Sequence, residues 1–319
     1  MTTKIIRINE KTKAHHYPVK LMGCAFVLTA VESSPQKAWD ALRAGVAEIQ
    51  RIENVISSWQ DDSETAEINY WAGKRAISVS PELFHLIERS KKVSEITAGA
   101  FDISGTLARY YWNFNRQETT LLPVSKIEEL RDLMDYRLIE LDSRSHTVFL
   151  RKKGMKIGFG GIGKGYAAYR AQIVMQKLGI KSGLINASGD LMCWGNPLNK
   201  TAWTIQIPNP TNRENTLCQI DIPFGSVVTS GNYENYLLID GKRYSHIVDP
   251  RTGRPVEAIK NVSVICPNPE FGDAMATAIS VLGVDQGLSL VNQLKGIECV
   301  IIDQDDQIFY SNQLLSMAA

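Results

Sequence analysis

The run Met155-Lys-Ile-Gly-Phe-Gly-Gly-Ile-Gly-Lys-Gly-Tyr166 holds the residues best suited to chemistry in this 319-residue chain. Starting at Gly158 it spells G-x-G-x-x-G, through Gly160 and Gly163, and also G-x-x-x-x-G-K, ending on Lys164. Met155–Gly158 reads as a strand before the loop, and Tyr166–Leu178 as an amphipathic helix after it. Glycines let a backbone approach a ligand closely, and a helix N-terminus offers N–H groups to anionic oxygens. Lys164 adds a mobile positive charge, so a pyrophosphate is the expected guest. Gly165 stands where a phosphate loop of this kind carries a hydroxyl for magnesium, so the metal ligands must come from elsewhere.

Asp273-Ala-Met-Ala-Thr277 is one source. A carboxylate and a hydroxyl at i and i+4 share a helix face, and both are hard oxygen ligands of the kind magnesium takes. The same spacing also describes a helix cap followed by an interior threonine. In Tyr244-Ser-His-Ile-Val-Asp-Pro-Arg-Thr-Gly253, His246 is a candidate general base, since an unperturbed imidazole titrates near neutrality. A histidine satisfied inside a hairpin would look the same. His15, His16, His85 and His146 have no acidic or nucleophilic companion nearby in sequence and read as surface. Asn186-Ala-Ser-Gly-Asp190 and Thr229-Ser-Gly-Asn-Tyr233 place small polar residues at strand ends, where they form either ligand sites or ordinary turns. Thr97-Ala-Gly-Ala-Phe-Asp102 closes a helix at Gly99 and sets a carboxylate beside an aromatic ring.

The elements that must position these groups are partly legible. Val19–Val31 reads as a strand interrupted at Met22-Gly23-Cys24. Ser34-Pro35 opens a helix with Trp39, Leu42, Val46, Ile49, Ile52 and Ile56 at helical spacing, and Ser80-Pro81 opens a second reaching about Ile96. Between them lies a polar loop carrying Trp59. β-rich runs at His146–Leu150, Leu184–Ala187, Trp203–Ile207, Leu217–Ile222, Tyr236–Ile239, Val262–Cys266 and Cys299–Ile302 alternate with helices after Lys164 and Asp273, which predicts an α+β fold. Arg116–Pro123 is the best internal boundary.

Bulk composition narrows the function classes. With 35 basic against 34 acidic residues, the chain lacks the basic surface that nucleic acid or an anionic membrane would require. No run of apolar residues reads as a membrane span or a signal peptide. The five scattered cysteines suit reduced thiols. A cytoplasmic location is the resulting expectation.

Taken together in chain order, these pieces resemble the ApbE family of FAD:protein FMN transferases. The likeness runs from about Met22 to Gly283. It rests on Met22-Gly23, Ser57-Ser-Trp-Gln with Asp62-Ser-Glu and Ile68-Asn69, Gly99-Ala-Phe-Asp102, Trp112-Asn-Phe114, Gly160-Gly-Ile-Gly-Lys-Gly-Tyr166, Asn186–Asp190, Thr229–Tyr233, Tyr244–Gly253 and Asp273–Thr277. The resemblance implies an FAD site formed by Met22, Trp59, Ala100, Phe101, Asp102, Gly158, Lys164 and Ile247. It implies magnesium held by Asp273, Thr277 and the backbone carbonyl of Gly161, with Ala276 alongside, and His246 as the base. The implied reaction moves FMN from FAD to a threonine or serine hydroxyl of a partner flavoprotein and releases AMP. The implied fold is α+β, with mixed or antiparallel sheets, flanking helices and two lobes around a nucleotide cleft, an N-terminal lobe of about residues 1–118 and a C-terminal lobe of about 119–319. Two departures stand out: Gly158 replaces an acidic residue common in the family, and Cys24 replaces a threonine.

Three other readings use the same residues. An FAD pyrophosphatase would release free FMN and AMP, and a non-catalytic flavoprotein would hold FAD as a redox group. A Rossmann dehydrogenase needs an acidic residue about twenty positions past the glycines and regular βαβ alternation; Asp190 comes late and the alternation stops.

Overall fold

The computed structural model describes residues 12–112, 114, 121–208, 216–231, 236–239 and 242–318; the side chains of a few strand residues, Cys218 among them, lie outside the description, as do Asn113 and the Asn232-Tyr233 end of the 229–233 motif. The chain opens with β1 (Lys13–Leu21) and β2 (Cys24–Glu32), paired antiparallel with Leu21 opposite Cys24. The interruption seen in sequence is therefore a hairpin turn. Met22 (φ 51°) and Gly23 (φ 73°) both take the left-handed conformation that matches the twist of flanking strands, which puts Met22 at the tip.

Helix α1 (Pro35–Ile56) starts as the sequence predicts: the Ser34 hydroxyl accepts from the Lys37 N–H, and Leu42, Ile49, Ile52 and Ile56 are buried. Trp39 stays 38% exposed, edge-on to His15 and Tyr17 of β1. The polar loop after α1 contains a further helix, α2 (Glu64–Tyr70), capped by Ser63. A short strand β3 (Ile77–Ser78) and α3 (Pro81–Ile96, capped by Ser80) follow, then α4 (Ala108–Tyr111) and α5 (Val124–Leu133). Strands β4 (Ile139–Asp142) and β5 (Thr147–Leu150) join β3 in a small antiparallel sheet. The loop helix α6 (Gly163–Lys177) precedes β6 (Gly183–Ala187) and β7 (Asp190–Trp194). A hairpin of β8 (Trp203–Pro208) and β9 (Thr216–Ile222) leads to β10 (Gly225–Gly231). Two smaller hairpins pair β11 (Tyr236–Ile239) with β12 (Lys242–Ser245) and β13 (Val248–Asp249) with β14 (Arg254–Pro255). The chain then runs through β15 (Ile259–Cys266), α7 (Pro269–Val291), β16 (Glu298–Asp303), β17 (Ile308–Tyr310) and α8 (Asn312–Ala318).

The main sheet has the order β1-β2-β6-β7-β10-β15-β16-β17, and every neighbouring pair in it is antiparallel. The α+β expectation holds. A dinucleotide fold of the Rossmann type needs parallel strands joined by crossover helices, so the dehydrogenase reading falls. Strands from both sides of Arg116–Pro123 share this sheet, and the largest hydrophobic core joins residues from Leu21–Ile103 with others from Ile139–Ile301.

Two features differ from the sequence reading in ways that shape the site. Met155–Gly158 forms no strand ladder; the Asn69 side chain satisfies it instead, accepting from the Ile157 N–H (2.7 Å) and donating to the Ile157 carbonyl (2.9 Å). Helix α7 begins before Asp273: the Asn268 side chain caps it and Pro269 fills its first position, so Asp273 sits a turn inside. By length and composition α7 could cross a membrane, against the sequence reading, but it packs on β10, β15 and α6 in the core, and that burial accounts for its apolar composition.

Candidate active site

The N-termini of α6 and α7 meet. A side chain on Gly165 would overlap the Pro269 carbonyl, so glycine is what permits this approach. Across the junction the Lys164 Nζ lies 3.2 Å from Asp273 Oδ1 and 3.4 Å from Oδ2, and the Gly165 N–H donates to Asp273 Oδ2 at 3.2 Å. On its other side the ammonium is 2.7 Å from Asp190 Oδ2, while Asp190 Oδ1 accepts from the Thr229 N–H at 2.8 Å. Asp190 and Asp273 are 6% and 2% exposed. Burial alone would lower the Lys164 pKa, but Asp273 and Asp190 outweigh it and hold the ammonium well above its ordinary value. Asp273 is pushed up, by burial first and by Asp190, against the pull of Lys164. Two buried carboxylates share one lysine, which leaves a surplus of negative charge.

Around this centre the structure gathers most of the residues expected from sequence. Thr277 Oγ1 lies 2.8 Å from where a side chain on Gly161 would begin, and Phe101 Cε2 lies 3.5 Å from the same point. Met22, at its hairpin tip, brings Cε to 3.5 Å from the corresponding point on Gly163. The hydroxyl of Thr277, the backbone at Gly161 and the carboxylate of Asp273 form a hard-oxygen set that, with the surplus charge, fits magnesium. Ala276 is buried on α7, and its carbonyl accepts from the Ser280 hydroxyl at 2.8 Å. Gly158 faces Thr106, whose Oγ1 lies 2.6 Å from where a side chain would begin, so an acidic residue there would have to displace that threonine.

Ala100 and Phe101 are buried. Asp102 accepts from the Ser104 N–H (2.8 Å) and hydroxyl (2.7 Å) and from the Tyr136 N–H (2.6 Å), so its carboxylate holds the turn. Burial still raises its pKa to about 6, against those donors. Trp59, 63% exposed, stacks on Tyr110 at 5.5 Å between ring centroids, and the Lys156 ammonium sits 5.0 Å from the Tyr110 ring centre. His246 and Ile247 follow β12. The Ile247 N–H donates to the Ser245 hydroxyl, and its carbonyl accepts from the Val256 N–H. Their hairpin lies against residues 99–112: Pro250 and Arg251 approach Gly105 and Gly99, and the Trp112 indole N–H donates to the Gly253 carbonyl.

Sequence reasoning passed over three residues here. Asp190 was visible inside a motif that read as either a ligand site or a turn, because nothing local shows that β7 begins opposite Lys164. Asn69 was quoted without a role, and its task of holding Ile157 exists only across 88 positions of chain. Thr106 carries no motif at all.

The comparisons with known proteins identify the family and the fold. The model of the ApbE family matches residues 22–301. An FAD:protein FMN transferase of Klebsiella pneumoniae is 29% identical over 304 residues, covering 94% of this chain and 92% of the relative. One from Treponema pallidum is 29% identical over 276 residues, covering 82% and 76%. Among solved structures, an ApbE protein from Thermotoga maritima superposes with a TM-score of 0.87 at 27% identity, covering 95% of this chain and 99% of that one. The apo flavinyl transferase ApbE of Pseudomonas stutzeri shares the fold, with a TM-score of 0.85 at 23% identity and 96% of each chain covered.

Proposed function

This chain belongs to the ApbE family, and on that premise we propose that it transfers FMN from FAD to a threonine or serine hydroxyl of a partner flavoprotein, with magnesium, releasing AMP. The observation that carries the reading is the Lys164 ammonium held between two buried carboxylates at the meeting of α6 and α7, with Thr277 beside Gly161. Phosphoryl-type transfer asks a protein mainly for positioning and charge neutralisation; this centre would supply the first directly and the second through the cation its surplus carboxylate attracts.

In the proposed reaction the acceptor hydroxyl oxygen forms a bond to the FMN phosphorus as the bridging P–O bond to AMP breaks. The hydroxyl proton passes to His246, and AMP leaves with its phosphate charge. Magnesium, bound by Asp273, Thr277 and the Gly161 backbone, would neutralise the pyrophosphate. Lys164 stays protonated throughout the neutral range, because its carboxylate partners raise its pKa. It therefore orients and balances charge and donates no proton. The half-buried Met22 and the exposed ring of Trp59 offer apolar surface for the flavin. The free Cys24, Cys193, Cys266 and Cys299 favour an acceptor in the cytoplasm, where thiols stay reduced.

The test mixes the protein with FAD, magnesium and a candidate acceptor domain, and follows flavin fluorescence on a denaturing gel together with AMP. A fluorescent acceptor band that a chelator abolishes is the expected result. AMP accumulating with a dark acceptor would replace transfer by hydrolysis, and no AMP at all would sink both. Replacing the proposed base, His246→Gln, is expected to slow transfer by ~10²–10⁴-fold with FAD affinity unchanged.

A further inference from the structure

Beside the glycine loop stands a cation that the proposed reaction has not yet used. Arg109, on α4, brings Nη2 to 4.0 Å from where a side chain on Gly160 would begin. Gly160 is exposed and precedes Gly161, which faces Thr277. Among the described residues no carboxylate pairs with Arg109: the ion pairs on this side of the molecule engage Lys164, Arg251 and other groups. Arg109 stays exposed, yet the protein packed around it lowers its pKa through desolvation alone, with no counter-charge to offset this. The next residue, Tyr110, carries the ring that stacks on Trp59. One short helix thus presents an unpaired guanidinium beside the loop and an aromatic ring stacked on Trp59.

The geometry points to Arg109 as a further substrate-binding residue that holds the anionic phosphates of the dinucleotide over Gly160-Gly161. This rests on the FAD-binding reading above and deepens it. A guanidinium is a planar fork of N–H donors that matches two phosphate oxygens at once, and it stays charged at any working pH. Charge balance asks for such a group. The carboxylates of Asp190 and Asp273 together with the dinucleotide's two phosphate charges exceed one lysine and one divalent ion by a single unit, which Arg109 supplies. Lys164 is already engaged by two carboxylates, so it has little charge left to lend.

Arg109→Gln and Arg109→Lys, compared with the unaltered protein by titrating FAD and riboflavin, test this. FAD and riboflavin share the flavin ring, and only FAD carries phosphates. Arg109→Gln is expected to weaken FAD by about ten- to a hundredfold, the worth of a hydrogen bond to a charged group, while leaving riboflavin unchanged. Arg109→Lys should recover part of the loss, and the salt dependence of FAD binding should flatten in Arg109→Gln. Equal FAD affinity in Arg109→Gln and the unaltered protein would overturn the assignment. So would an equal loss for both ligands, which would make the arginine a prop for the stacked Trp59 and Tyr110 rings. Failure of the transfer reading shows separately, as FAD bound by the unaltered protein with neither AMP nor covalent flavin formed.

Discussion

Helix α6 touches two charged clusters, and they are built on opposite plans. Toward α7 lies the Lys164 centre, two buried carboxylates on one ammonium. Toward α1 and α3 lies a balanced network. Arg51 bridges Glu48 and Glu82, Arg170 reaches the same two carboxylates, and the Tyr166 hydroxyl donates to Glu82 at 2.6 Å. Arg89 closes the series with a two-bonded pair to Glu270, at 2.6 and 3.0 Å, on the first turn of α7. Three arginines there meet three glutamates, and the charges cancel without help from a ligand. The contrast teaches where to look for function. A network that cancels its own charge is finished as structure, whereas a buried one left with surplus carboxylate is completed by a cation from outside.

If that distinction is sound, substitutions should separate activity from stability. The largest effect falls on Asp273→Asn, which removes a charge from the surplus side. It is expected to lower transfer by at least ~10²–10³-fold, the cost of one preorganised electrostatic contact, while the melting temperature holds or rises because repulsion with Asp190 is relieved. A variant that melts several degrees lower and still transfers FMN would reverse the comparison. Magnesium gives the next largest effect. At about a hundredfold excess over its Kd it should stabilise the unaltered protein by about 2–3 kcal/mol, seen in thermal unfolding, and Asp273→Asn should lose that increment.

The balanced side should behave in the opposite sense. Glu270→Gln is expected to cost about 1–2 kcal/mol in denaturant unfolding, discounted because Arg89 is 45% exposed, with transfer changed only slightly. Abolished transfer at unchanged stability would make Glu270 part of the site.

A further effect concerns pH. The Asp102 pKa is raised from 3.8 to about 6 by burial, so the folded state holds the proton more tightly than the unfolded one. The stability this contributes is complete below about pH 4 and is lost as pH rises through about 6. Asp102→Asn keeps an acceptor for Ser104 and Tyr136 but cannot ionise. The stability difference between the two proteins should therefore shift toward the variant between pH 4.5 and 7. A flat difference would mean that Asp102 is already ionised at the lower pH.

How far the site was legible in sequence depends on the kind of signal. Both Ser-Pro helix starts were readable because capping is decided within four residues. Asp273 and Thr277 were readable because a helical spacing fixes their shared face whatever the helix packs against. The Met22-Gly23 turn was half readable: the break showed, but whether the chain reversed there depended on pairing with β2. The pairing of Asp190 was not recognisable, since its partner Lys164 is 26 residues away and a salt bridge leaves no local pattern.

Sequence alone determined most of the element types, the α+β class, the glycine-rich run of 158–165 ahead of a helix and, through the order of its motifs, the family resemblance. These follow from short-range physics: caps, periodicity and the freedom of glycine. The tertiary structure decided that the sheet is antiparallel, that Asn69 takes the place of a strand partner for Ile157, and that α6 and α7 meet closely enough at Gly165 to hold Lys164 between Asp190 and Asp273. Those outcomes depend on which distant surfaces bury one another, and charge balance in a buried site is set only once they have done so.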